Sequence, residues 1–268
     1  MPIAPHTALT AIPPVLHINV ATYNAPLSAT SVYNMQYNCY IAARTAGIAA
    51  AGSVAAWIAA GHAAPAVWAL LSSFGMHSRA SRLVPLTSLH ATLVAVPSAR
   101  ITTIAGFTLP LPAVPASLPP GGGPTLATEL TNIYNAFAAP GAVSVSGGFV
   151  AASKALHCLF PELAPMIDGR HTGLSYFNIA RTTYTPPLGG TWAGWLGGPL
   201  HGHPNPSPRG AGRHGWGSQQ FLAAIGINQH IYELWQAAHG YPGKHAFLAL
   251  DPPPGTTGIP RVIDKALW

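Results

Sequence analysis

The chain has 268 residues, of which only 7% are charged, against about 25% in typical soluble proteins. Twelve Lys and Arg against six Asp and Glu give a net charge of +6, which fits a polyanionic partner such as DNA, while so few charges favour self-association. Two cysteines are too few for a disulfide framework or a cysteine zinc site, so both of those protein classes are excluded.

The opening residues and one apolar run bear on cellular location. Residues 1–6 lack the basic and apolar stretches of a secretory signal, so we expect a cytoplasmic protein. Residues 46–60 carry no charge, but they are mostly Ala and Gly and are followed at once by Gly61. This run is too short and too weakly hydrophobic for a membrane helix, and we predict no membrane span.

The N-terminal half predicts an irregular arm followed by helices. Residues 1–30 contain five prolines among Thr and Asn, which predicts an irregular arm. Residues 31–62 are rich in Ala, with tyrosines at helical spacing, and predict one or two helices; Pro65 begins another that runs to about Gly75. Residues 86–104 fit either a helix or short extended pieces.

The C-terminal half predicts further helices separated by long loops. Residues 108–124 and 185–217 are rich in Pro and Gly and predict loops. Apolar periodicity predicts helices over residues 125–138, 149–160, 221–239 and 261–268. The fold prediction is therefore all-α, with a single helical domain over residues 31–268 that follows the arm.

The most informative stretch joins a glycine hairpin to an aspartate. Gly147 and Gly148 precede the apolar helix predicted over 149–160, Pro161 ends it, and Pro165-Met166-Ile167-Asp168 follows. The chain contains only three Asp and three Glu, so a carboxylate held in a defined place is a candidate for chemistry. Asp168 is the strongest such candidate.

This stretch resembles the catalytic hairpin of the helix-hairpin-helix DNA glycosylase superfamily. In that family an aspartate in a Pro-x-x-Asp motif follows the second hairpin glycine by twenty residues, which is the separation of Asp168 from Gly148, and an alanine stands where Ala152 does. The pair Asp168-Gly169 is similar to the adenine-glycosylase branch, although the usual Leu-Pro-Gly-hydrophobic-Gly hairpin is reduced here to Val-Ser-Gly-Gly. Residues 68–79 and 260–268 are similar to bacterial proteins with an 8-oxoguanine-glycosylase-like fold.

The resemblance implies a helix-hairpin-helix glycosylase-like fold and a monofunctional DNA N-glycosylase that excises a modified or mismatched base. Asp168 would stabilise positive charge on the sugar as the base leaves; the alternative is that it only caps a following helix. Val150 stands where bifunctional members carry their Schiff-base lysine, which excludes a lyase reaction at that position. Lys154, one helical turn further on, is either a shifted amine nucleophile or a lysine that extends to water.

A second group of residues is expected to bind DNA. The guanidinium group of arginine binds phosphate well, and an aromatic ring can stack on a base. The stretch that carries Arg209, Arg213 and Trp216 is also compatible with an ordinary solvated loop. The candidates are Gly147, Gly148, Arg170, Arg209, Arg213 and Trp216.

Metal and cofactor sites are not predicted. His201 and His203 form the best metal-binding fragment, but neither a His-x3-His pair on a helix nor an acidic residue lies near them in sequence. We expect no small-molecule cofactor. The rival to the glycosylase is a non-catalytic helical protein of the same fold that binds nucleic acid or has a structural role.

Overall fold

Helices make up almost all of the regular structure. The computed structural model describes residues 12–26, 30–77, 82–111, 125–168, 217–251 and 258–267. Within them lie the 3-10 turn Pro13–Val15 and the helices α1 Leu16–Asn24, α2 Ser31–Ala51, α3 Val54–Ala59, α4 Ala63–Ser73, α5 Leu86–Val94, α6 Ser98–Ala105, α7 Leu126–Ala138, α8 Phe149–Leu159, α9 Ser218–Ala238, α10 Lys244–Leu248 and α11 Ile259–Leu267.

The all-α prediction is confirmed for these residues, which form helices and no strand; their β pairing is confined to isolated bridges, such as the antiparallel one between Leu83 and Ser144. The ambiguous stretch 86–104 forms two helices, α5 and α6, and Pro97 stands immediately before the second. The predicted loops 108–124 and 185–217 lie almost entirely outside the described residues. None of the described helices combines the length and apolar character needed to cross a membrane.

The prediction of an irregular arm over residues 1–30 is wrong for α1. Pro13 lies in the 3-10 turn directly before this helix, where a proline is tolerated because the missing N–H would have no helical partner. Leu16, Val20 and Tyr23 follow at helical spacing and are buried. The prolines therefore lead into a helix instead of preventing one, while residues 1–11 and 27–29 lie outside the described part of the chain.

Helix α8 lies at the centre of the packing. Ten of its eleven residues are buried, and it contacts α4, α7 and α9. Leu156 and Leu159 have no exposed surface, and burial of each such side chain favours folding by about 1.5–3 kcal/mol. Polar residues on this helix must therefore find their partners inside the protein, and that is where the candidate site lies.

The predicted glycine hairpin joins α7 to α8. Gly147 and Gly148 have φ values of +69° and +118°, which only glycine adopts without strain. The N–H of Gly148 donates to the carbonyl of Ala138 at 2.9 Å, and a Cβ at Gly147 would overlap that carbonyl and lie 2.8 Å from the nitrogen of Pro140. A tight turn therefore delivers the chain directly into α8.

Candidate functional site

Three side chains of α8 hold the segment that follows it, residues 161–168, which we call the return segment. The hydroxyl of Ser153 lies 3.3 Å from the carbonyl oxygen of Ile167 and 3.1 Å from that of Val150 in its own helix, and the two carbonyls share its hydrogen. The Nδ1 atom of His157 lies 2.6 Å from the carbonyl of Ala164, and Nζ of Lys154 lies 3.5 Å from Oδ2 of Asp168. One helix face therefore contacts the return segment at three points and fixes Asp168 at its end.

Lys154 and Asp168 form a largely buried ion pair. The side chain of Lys154 is 7% exposed and that of Asp168 is 14% exposed. The ammonium also lies 5.1 Å from the ring centroid of Phe74, a cation–π contact that favours the charged amine. The alternative that Lys154 extends to water is therefore wrong, because its amine points inward to a carboxylate and an aromatic ring.

His157 is a neutral, fully buried imidazole. Burial lowers the pKa of His157 to about 3, although the hydrogen bond to the carbonyl of Ala164 acts in the opposite direction. Because a carbonyl can only accept, Nδ1 carries the hydrogen, and Nε2 is left to accept from the hydroxyl of Tyr37 at 2.7 Å. The two hydrogen bonds fix both the tautomer and the orientation of the ring.

A second buried ion pair lies next to this site on α11. Arg261 Nη1 donates to Asp264 Oδ2 at 2.8 Å, and the guanidinium lies 4.2 Å from the ring centroid of Tyr37. Burial raises the pKa of Asp264 to about 6, while Arg261 and Lys154 lower it. The effect of Lys154 on Asp264 indicates that the two ion pairs share one electrostatic environment.

A third pair completes the polar cluster beside α1. Lys265 donates to Asp251 Oδ1 at 2.7 Å and to the side-chain oxygen of Asn24 at 2.9 Å. Burial lowers the pKa of Lys265 to about 8 even though Asp251 raises it. Buried charges without partners are strongly unfavourable, and the chain meets that demand here by pairing each buried charge with an opposite one.

Each Asp and Glu of the chain has a basic partner: five of the six pair with Lys or Arg, and Glu233 pairs with a histidine. The pairs are Arg100–Glu129, Lys154–Asp168, Lys244–Glu162, Arg261–Asp264, Lys265–Asp251 and His230–Glu233. Arg44 donates to the carbonyls of Cys158 and Leu159. Among the Lys and Arg side chains of the described residues, the exposed Arg82 is the one without an acceptor. The remaining arginines, at positions 79, 170, 181, 209 and 213, lie outside the described residues.

Arg82 lies beside the hairpin. Its carbonyl accepts from the N–H of Val145 at 2.7 Å, and the side chain of Val145 is 57% exposed. The hairpin, at Gly147 and Gly148, therefore presents its tip to solvent next to an unpaired cation. The other predicted DNA-binding residues, Arg170, Arg209, Arg213 and Trp216, lie outside the described residues, as does any helix that Asp168 would cap.

The structure places Lys154 and Asp168 together, as two of the predicted site residues, and adds others that the sequence analysis missed. Ser153, Tyr37 and Asp264 carry no sequence signal of their own, because each depends on contacts between distant parts of the chain. The described residues contain no group of three or more His, Cys, Asp or Glu side chains that could bind a metal ion. His201 and His203 lie outside them.

Comparison with family models, with curated proteins and with solved structures gave no match. The resemblance to the helix-hairpin-helix glycosylases therefore stays a prediction, based on the residues of the hairpin and the return segment.

Proposed function

We propose that this chain is a DNA-binding protein of the helix-hairpin-helix glycosylase type that excises a modified or mismatched base by hydrolysis. The observation that carries the proposal is the Lys154–Asp168 pair, held at the end of the return segment twenty residues after Gly148. The side chain of Asp168 is partly exposed, whereas Asp251 and Asp264 are buried. Of the three aspartates, it is therefore the one that a substrate can reach.

The chemistry requires a fixed negative charge near the sugar. As the bond between C1′ and the base nitrogen breaks, both electrons leave with the base and positive charge develops on the sugar ring. The Asp168 carboxylate would stabilise that charge, and a water molecule would then add to C1′ and lose a proton, while the departing base gains one. Electrostatic stabilisation of this kind contributes about 10²–10³ in rate when a single group is removed.

Lys154 has two opposing effects on this chemistry. Its ammonium favours the ionised carboxylate and restrains its orientation, but at 3.5 Å it also weakens the field that the sugar experiences. A second candidate function follows from the same distance. If Lys154 passes its proton to Asp168, 3.5 Å away, its free amine would attack C1′ while the base leaves with the bonding electrons. The Schiff base that forms would then allow the strand to be cleaved by elimination.

The non-catalytic rival rests on a different observation, the exposed hairpin tip beside Arg82. A backbone turn and a free cation suit a phosphate contact, and such contacts position a protein on nucleic acid without any chemistry. In that case DNA would bind and no base would be released.

The experiment is an excision assay on end-labelled duplexes that carry damaged, mismatched or modified bases. For the wild-type protein we expect strand breaks only after alkali treatment, because hydrolysis leaves an intact abasic site. Borohydride should trap no covalent adduct. Binding of each duplex is measured in parallel, so that a failure to bind is separated from a failure to react.

Two outcomes would overturn the proposal. If DNA binds and no duplex of the panel loses a base, the non-catalytic reading replaces it. If borohydride traps an adduct that disappears in Lys154→Met, the amine is the nucleophile and the reaction is not monofunctional. Val150 provides a matched control, since Val150→Ala changes the same helix without touching either charge.

A further inference from the structure

The contacts beneath Asp168 assign a role to a residue that touches no substrate. We propose that His157, bonded through Nδ1 to Ala164 and oriented through Nε2 by Tyr37, is the positioning residue for Asp168. This inference rests on the proposed function insofar as it concerns catalysis, and it makes a separate statement about the structure that is tested without any activity.

The end of the return segment is anchored to α8. His157 bonds the carbonyl of Ala164, four residues before Asp168, and Ser153 bonds the carbonyl of Ile167, directly before it. Both donors belong to α8, which is buried along nearly its whole length. The backbone that presents the carboxylate is therefore attached at two carbonyls to a helix that is itself buried on nearly every side.

His157 makes the stronger of these two contacts with the return segment. The bond from His157 to Ala164, at 2.6 Å, is the shorter of the two, and the ring has no exposed surface. Only the tautomer with hydrogen on Nδ1 can make this bond, because the acceptor is a carbonyl. The other tautomer would set two acceptors against each other in a buried place, which is strongly unfavourable.

Tyr37 contacts the other nitrogen of the ring. Its hydroxyl lies 2.7 Å from Nε2, and because the carbonyl of Ala164 requires the hydrogen on Nδ1, the hydroxyl donates to Nε2 and fixes the orientation of the ring. Tyr37 is itself held by Arg261, whose guanidinium stacks on the tyrosine ring. A connected set of side chains on α2 and α11 thus determines how α8 holds the return segment.

The catalytic consequence follows from geometry. A displacement of about 1 Å in a reacting group can lower a rate by about 10²-fold. Loss of the bond to Ala164 leaves Ser153 and Lys154 as the polar side chains of α8 that hold the end of the return segment, while Glu162, near its start, is held separately by the N–H of Leu109. We therefore expect the rate of excision to fall. The affinity for DNA should stay unchanged, because the side chain of His157 is buried and does not touch DNA.

The test compares two amides at the same position. In His157→Asn the amide nitrogen lies near the place of Nδ1 and can still donate to Ala164, whereas His157→Gln places its amide one carbon further, towards Tyr37. Both variants bury a polar amide and sacrifice one of the two hydrogen bonds. A merely structural role would affect them alike, but positioning predicts rescue by Asn alone.

The readouts separate this inference from the proposed function. We expect His157→Gln to lower the single-turnover excision rate by about 10- to 100-fold with an unchanged dissociation constant for DNA, and His157→Asn to stay within about threefold of wild type. Hydrogen exchange across residues 160–168 should accelerate in the Gln variant only. If wild type excises no base, the proposed function fails, yet the exchange comparison still decides whether His157 holds the return segment.

One measurement needs no variant and so does not depend on folding of a mutant. Long-range nitrogen–proton correlation spectra of the wild-type protein report which ring nitrogen of each histidine carries hydrogen. The inference predicts hydrogen on Nδ1 of His157 at neutral pH. Hydrogen on Nε2, or equal exchange rates and equal activities in the Asn and Gln variants, would overturn it.

Discussion

Acid should destabilise the fold through His157 and stabilise it through Asp264, and substitution separates the two effects. The pKa of His157 falls from its usual 6.5 to about 3 on burial. Between these values the unfolded chain binds a proton that the native protein does not, so stability falls as the pH is lowered. From pH 7 to 4.5 this group removes about 3 kcal/mol, since each pH unit below 6.5 corresponds to about 1.4 kcal/mol.

Asp264 acts in the opposite direction over nearly the same range. Burial raises its pKa from 3.8 to about 6, so the native protein binds the extra proton and stability rises as the pH falls through 6. By pH 4.5 the gain is about 2 kcal/mol on the same conversion. The wild-type protein should therefore show little net response from these two groups.

The assay is urea denaturation of wild type, His157→Asn and Asp264→Asn at pH 7 and pH 4.5. The stability deficit of His157→Asn relative to wild type should shrink by about 3 kcal/mol on acidification, and that of Asp264→Asn should grow by about 2 kcal/mol. The other histidines cancel, because all three proteins contain them. Parallel pH curves for wild type and His157→Asn would refute the assignment of a buried, neutral imidazole.

Two further predictions concern the hairpin and the α11 ion pair. Gly147→Ala should lower the free energy of unfolding by more than ~2 kcal/mol, because its Cβ would overlap Ala138 and the residue would be strained at a left-handed φ. Gly141→Ala, at φ +81° with no neighbour near its Cβ, should lower it by only about 1–2 kcal/mol; equal midpoints in thermal melts would contradict the close approach at Gly147. Arg261→Met should cost about 3–5 kcal/mol at pH 7 because it leaves Asp264 buried without its partner, and the loss should shrink at pH 5, where Asp264 binds a proton; an unchanged loss in urea titrations would count against that pairing.

The sequence predicts those parts of the fold that have local causes. Gly147 and Gly148 predict the hairpin because a left-handed turn needs glycine, and the apolar run after them predicts α8. The helix α1 was missed because its prolines were interpreted as breakers, although Leu16, Val20 and Tyr23 already stand at helical spacing. Local patterns therefore predict most helices, and they fail where a proline can either begin a helix or interrupt one.

The candidate site depends on contacts that no local pattern contains. Asp168 was found through its separation from Gly148, but its pairing with Lys154 joins a helix to a loop fourteen residues away. Arg261 and Asp264 were missed because charged residues usually predict an exposed face, and here both are buried. The partners of buried charges come from the tertiary structure, so the sequence predicted one carboxylate and not the network that holds it.

The central claim is that the charge of Asp168 drives base excision, and Asp168→Asn tests it most directly. This change keeps the size of the side chain and removes its charge, and the side chain lies at the edge of the described core with 14% exposure. The measurement is the single-turnover excision rate at saturating protein on a duplex that wild type processes. We predict a loss of about 10²–10³-fold with unchanged DNA affinity, measured below a thermal midpoint that falls because Lys154 loses the carboxylate beside it; a rate within about threefold of wild type would contradict the account.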